Sequence, residues 1–263
     1  MPSKTKLSIS QFAERLFFSD VINSSSETSV IKYQWNRFVA LWNNNLEEKS
    51  NAIGIERFLK LFLVLIQYLF LGFYVRAIFN RWGDRGRSIG IELYVLFKIT
   101  TAILILSFQP FDWGTGWSLF FKLWVPYMIT ESVLYTAALI FCSDIFSKPR
   151  SYKRNLILLL FDYTEITVGF ASLYLINNAL IFTNQTEQIT KQITSLDAAY
   201  FSFVTSVTVG YGDIAVATQT GKVLTILQIL VFLLYGVLFL NFYATRIEER
   251  GNLVPDNKNS AGN

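Results

Sequence analysis

Between two long apolar stretches of this chain lies the run Thr205-Ser206-Val207-Thr208-Val209-Gly210-Tyr211-Gly212-Asp213. In an ordinary strand successive carbonyls point to opposite sides. Aiming them at one axis requires alternate residues to take dihedrals of opposite hand, and glycine does this at least cost. Gly210 and Gly212 stand two apart, with Val209 and Tyr211 at the other positions. The chemistry implied is coordination of a bare cation by a ladder of main-chain oxygens.

Such a ladder needs a rigid mount. Asp197 is a reasonable N-cap for a helix over about 198–206. At 1.5 Å per residue that helix spans roughly 15 Å, half of a bilayer core. A half-crossing helix is tolerated where its ends face protein or water. Its C-terminal end leads into the carbonyl run, and the negative end of its dipole favours a cation there.

A bilayer crossing needs ~20 mostly apolar residues. Five segments qualify, at about 58–79, 89–108, 117–146, 155–182 and 218–245. The loops 80–88 (Arg81, Arg85, Arg87) and 147–154 (Lys148, Arg150, Lys153, Arg154) are basic. The intervening 109–116 has no Lys or Arg and ends in Trp113 and nearby Trp117. Positive residues inside and an aromatic belt outside put the basic loops and the C-terminus in the cytoplasm, and the N-terminus outside by parity. An unrecognised re-entrant segment would reverse that last assignment. A second reading of the fourth segment makes 155–161 an interfacial linker and starts the crossing near Asp162, with Glu165 also near the surface. The fold class expected is all-α and integral to a membrane, multi-pass.

The order outer helix, half-helix, carbonyl loop, inner helix resembles the pore module of tetrameric potassium channels over about 155–246, on the motif Thr-Val-Gly-Tyr-Gly-Asp at 208–213. The resemblance implies that the carbonyls of Thr208, Val209, Gly210 and Tyr211, followed by Gly212, form a potassium filter, with the Thr208 hydroxyl as a further ligand. Asp213 would sit at the outer mouth, Thr205 and Tyr200 would support the filter, and Tyr200 stands where many relatives bond this aspartate from behind; simple pore-helix packing is the other reading of Tyr200. It also implies a homotetramer in a lipid bilayer, in a plasma membrane or bacterial inner membrane, with K+ as permeant ion and no other cofactor. On the inner helix it puts Leu233, Gly236, Leu240 and Ala244 toward the cavity, with a Leu240 ring as a dewetting gate. Gly236 is either a displaced hinge or a packing glycine. Asn241 faces either the cavity or a neighbouring helix. Three positions depart from common relatives: Val216 replaces a proline, Phe232 a hinge glycine and Val207 a cavity-facing threonine.

Before the pore, residues 58–154 hold lone cations, Arg76, Lys98 and Lys122, each on its own segment. Steep voltage gating uses ~3–4 charges per subunit, so the absence of an arginine ladder argues against it. Charges at matching depth predict two pairs, Arg76–Glu92 and Lys98–Glu131; for the second, a snorkelling Lys98 and a protonated Glu131 is the alternative. Residues 1–57 predict two amphipathic helices, about 9–21 and about 30–47, the latter on Ile31, Trp35, Phe38, Trp42 and Leu46. Residues 247–263 read as a short disordered tail, too short for a ligand-binding domain.

Composition bounds the rest. The 263 residues are 52% hydrophobic and 16% charged, with a net charge of +4, and mean hydropathy is +0.37. No basic patch interleaved with aromatics suggests a nucleic-acid partner. One cysteine, Cys142, excludes an intrachain disulfide, and the absence of histidine removes imidazole bases and ligands. The start lacks the pattern of a cleavable signal. Asn23-Ser24-Ser25 and Asn184-Gln185-Thr186 match the glycosylation triplet, a pattern common by chance. Asp162 and Glu165 form an i, i+3 acidic pair without a nucleophile or metal cluster beside it, so enzyme chemistry is not expected. The competing functions are a weakly selective cation channel and a non-conducting regulatory subunit; the gating stimulus and any regulatory partner are not legible.

Overall fold

A computed structural model describes residues 35–36, 38–39, 41–42, 54–79, 82–141, 152–183 and 192–251. The expected helix at 9–21, Cys142, both glycosylation triplets, most of the loop 147–154 and the tail beyond 251 lie outside them. The described part of 30–47 is helical, and the rings of Trp35, Phe38 and Trp42 stack in succession at 5.6 and 6.3 Å, as the spacing predicted.

The described residues from 54 onward form the helices α1 Ile55–Ile66, α2 Leu71–Phe79, α3 Gly83–Phe108, α4 Thr115–Phe141, α5 Tyr152–Ile176, α6 Ser195–Ser206 and α7 Gln219–Gly251. Two three-residue strands, β1 Leu180–Phe182 and β2 Ile214–Val216, pair antiparallel, Leu180 opposite Val216 and Phe182 opposite Ile214. The core centres on α5, where Ile166, Ala171 and Tyr174 are fully buried. That helix packs against α3, α4, α6 and α7, so it is the mast of the molecule.

Among the described residues three helical segments are long and apolar enough to cross a membrane: Ile89–Phe108, Leu156–Ile176 and Gln219–Val237. The expected crossing at 58–79 is instead a broken pair. A 3-10 turn, Gln67–Leu69, ends α1, Phe70 is extended at φ −100°, and α2 leaves at 74°. The cause is tertiary. The Leu71 N–H donates to the Tyr127 hydroxyl at 3.0 Å, and the Gly72 N–H to Glu131 Oε1 at 2.7 Å. Side chains of α4 thus satisfy amides that a continuous helix would bond to its own carbonyls. Counted as one span, the pair makes a fourth. The third expected crossing, 117–146, is the 27-residue α4, which carries Lys122 and Glu131 and is not among the three spans that qualify within the described residues.

Two further differences concern the loops. The expected loop 80–88 is helical from Gly83. A Cβ on Gly86 would lie 2.6 Å from Trp82 Cβ and 2.8 Å from the Phe79 carbonyl, so the missing side chain lets the α2–α3 turn close early. On the other side of the core, α5 runs unbroken from Tyr152, which removes a separate linker at 155–161.

Candidate ion-conduction site

The site begins with the anchoring of α6. Its N-cap is Thr194, not Asp197. Asp197 is the third helical residue of a capping box, its N–H donating to Thr194 Oγ1 at 3.2 Å while the Thr194 N–H donates to Asp197 Oδ2 at 2.9 Å. The sequence Thr-Ser-Leu-Asp carries that signature, since a box places Ser or Thr three residues before the acid. Ser195 Oγ donates to the Leu106 carbonyl and accepts from Gln109 Nε2, both at 2.7 Å, tying the start of α6 to the end of α3.

Deeper in, α6 is bolted to both flanking helices. Ser202 Oγ donates to the Thr167 carbonyl on α5 at 2.6 Å. Gln228 on α7, fully buried, donates through Nε2 to the Ser202 carbonyl at 2.8 Å and to Ser202 Oγ at 3.0 Å, and accepts from the Tyr174 hydroxyl at 2.7 Å. One turn on, the Tyr163 and Ser206 hydroxyls share a hydrogen bond of 2.8 Å. None of these residues stood out in the sequence reading. Gln228 had a signal, being an isolated amide inside an apolar run.

From α6 the chain enters the carbonyl loop. Thr208, Gly210 and Gly212 have φ of 57°, 59° and 81°, while the intervening residues do not leave negative φ. Handedness therefore alternates, as the glycine spacing predicted. It also includes Thr208, a β-branched residue for which left-handed φ is unfavourable. The amides turn back toward α6: Val207 N–H to the Phe203 carbonyl at 3.2 Å, Thr208 N–H to Thr205 at 3.0 Å and Val209 N–H to Val204 at 3.0 Å. At the far end Thr183, just past β1, donates its N–H to the Asp213 carbonyl at 2.9 Å and its hydroxyl to the Gly212 carbonyl at 2.7 Å. Among the described residues no hydrogen bond engages the carbonyls of Val207, Thr208, Val209, Gly210 or Tyr211. This row of unused acceptors, which takes in the Ser206 carbonyl as well, runs between used ones at Thr205 and Gly212. Thr183 was missed because nothing local links it to the loop; the β1–β2 pairing brings it there.

Tyr200 stacks on Tyr211 with ring centroids 6.3 Å apart and planes 5° apart, and its hydroxyl lies near the Asp213 side chain. Thr205 supports the loop through its carbonyl. On α7, Leu233 is 60% exposed, and a Cβ at Gly236 would meet nothing within 4 Å. Within the chain, then, Gly236 is not a close-packing contact. The backbone of α7 continues helical through Leu240, Asn241 and Ala244, whose side chains lie outside the described residues.

The buried charges pair differently from the depth argument. Arg76 donates to the Tyr135 hydroxyl at 2.7 Å and lies over that ring, and Glu92 instead bonds Arg154. Lys98 pairs with Glu165 at 3.1 Å and also donates to Ser132, which donates to Glu165 Oε2 at 2.9 Å. Glu131 accepts from Gly72 N–H and from the Tyr94 hydroxyl, both at 2.7 Å. Depth fixed the level of each charge, but the rotation of each helix chose its partner. Lys98 is buried at 5% exposure, so it does not snorkel, and Asp162 and Glu165 are buried with it.

Residues 166–249 match a family model described as an ion channel. A two-pore potassium channel, number 4, of Arabidopsis thaliana is 50% identical over 52 residues, which cover 20% of this chain and 17% of that protein. The matched stretch therefore spans less than a fifth of that relative. No solved structure matches. The chain is an all-α membrane protein that is similar, across its carbonyl loop and the helices on either side, to an ion-channel family.

Proposed function

We propose that four copies of this chain assemble around one axis as a potassium-selective channel that conducts passively. The observation that carries this reading is the bounded row of unused carbonyls from Val207 to Tyr211, with alternating backbone hand and amides turned away. One row cannot surround an ion, whereas a closed ring of identical rows can. The carbonyls of Thr208, Val209, Gly210 and Tyr211, with the Thr208 hydroxyl, replace the hydration shell of K+. Gly212 lets the chain turn, while Asp213, Tyr200 and Thr205 hold the row in place. The exposure of Val207, Val209 and Tyr211 in the single chain supports burial against neighbouring copies. The named relative supports potassium as the ion. Leu233, Gly236, Leu240 and Ala244 line the inner vestibule, and a ring of Leu240 closes it by dewetting.

Purified protein in liposomes tests this directly. Reversal potentials in mixed K+ and Na+ should follow the K+ gradient. A potential midway between the two would identify a weakly selective pore, and the absence of flux would leave a non-conducting subunit.

A further inference from the structure

A cavity of about 60 Å³ lies where the α1–α2 break meets α3, α4 and α5, with no carbonyl-loop residue in its lining. Asp162 lines it. Its side chain is buried, with the residue 6% exposed, yet among the described residues it makes no hydrogen bond and no ion pair. The neighbouring charges are already engaged. Arg76 is held by Tyr135, Lys98 by Glu165 and Ser132, and Glu131 by Tyr94 and the Gly72 amide. The buried Lys98 and the half-buried Arg76 thus face three carboxylates, of which Asp162 alone makes no hydrogen bond or ion pair among the described residues. A buried, unpaired carboxylate is costly enough that something must compensate it.

A proton alone does so poorly. It would cancel the charge but leave the cavity unfilled. The space admits several water-sized groups, since one needs only ~10–15 Å³ of this kind of volume. A bare metal ion fits no better, because it asks for about six oxygen ligands. The walls here include Phe70, Phe73 and Val95. Apolar walls, an aromatic ring at Tyr94 and one free carboxylate match an organic cation with a short alkyl body.

We propose that this cavity is a binding site for a small organic monocation, a protonated amine whose ammonium pairs with Asp162 and whose alkyl part packs on Phe70, Phe73 and Val95. The site does not require the carbonyl loop to conduct, and its test reads binding without flux.

The test is the thermal unfolding midpoint of the purified full chain at fixed ionic strength and fixed KCl, titrated with n-butylammonium chloride and, separately, with n-butanol. The wild-type midpoint should rise by about 3 °C or more as the amine passes its dissociation constant. The neutral alcohol should not raise it. Asp162→Asn should abolish the rise. Val95→Phe, which fills the cavity without touching its charge, should abolish it too and serves if the Asp162 variant fails to fold. An equal rise with n-butanol, or a rise retained in both variants, would place the amine elsewhere and overturn the proposal. So would a wild-type midpoint that responds to acidification alone and not to the amine.

Discussion

Gly210 and Gly212 matter because of what their neighbours cannot do. Left-handed backbone costs an L-residue about 1–2 kcal/mol, and a closed ring repeats that cost in every copy. Gly210→Ala should therefore abolish selective K+ flux while α6 and α7 stay folded, which circular dichroism alongside a liposome flux assay would check. Thr208 already bears this strain at φ 57°, which no propensity argument anticipates for a β-branched side chain. Its amide bond to the Thr205 carbonyl helps to hold it there. Tyr200 acts from the side, stacked on Tyr211 with its hydroxyl near Asp213. Tyr200→Phe keeps the ring and removes the hydroxyl. Its current should decay faster during sustained recording than that of the wild type, with the K+/Na+ permeability ratio at the first moment unchanged. The glycine spacing and the aspartate were readable because they sit within a few residues of each other. Thr183 was not, because its reach to the loop exists only after two distant strands have paired.

Pairs of helices tell a different story from single residues. Gln228 joins α7 to α6 and, through Tyr174, to α5, all inside a buried layer. Gln228→Leu strands some of these polar groups and should cost about 1–3 kcal/mol, measured by denaturant unfolding of the reconstituted protein. The Lys98–Glu165 pair between α3 and α5 gives a sharper contrast. Lys98→Met leaves Glu165 charged and buried, at about 3–5 kcal/mol, whereas Lys98→Met with Glu165→Leu removes both charges and should recover most of that loss. If the double variant were no more stable than the single one, the pair would not be the partner that matters. Helix existence was legible from hydropathy almost throughout. The break at Phe70 was not, because the run from 58 to 79 reads as continuous and the agents of the break, Tyr127 and Glu131, stand some sixty residues away. The charge partners were misassigned for the same reason. Counting residues from a helix end gives height along the helix, and only packing gives the direction in which a side chain points.

At the scale of the assembly, α7 leaves Ile226, Leu230, Leu233 and Val237 exposed, each at more than half of its full surface. Neighbouring copies and lipid would cover that face. Native mass spectrometry from detergent should find four copies of the 30.2 kDa chain, and a monomer or dimer as the largest species would remove the axis on which the proposed function rests. One detail of the loop then has a kinetic meaning. The free oxygens stop at each end, where the α6 carbonyls below accept the loop's own amides and Thr183 above engages Gly212 and Asp213. In the proposed tetramer these rows would form a corridor with no lay-by, in which cations could neither overtake nor ignore one another. Opposing isotope movements should therefore be correlated: raising unlabelled potassium on the far side should suppress inward tracer more steeply than independent hops would allow.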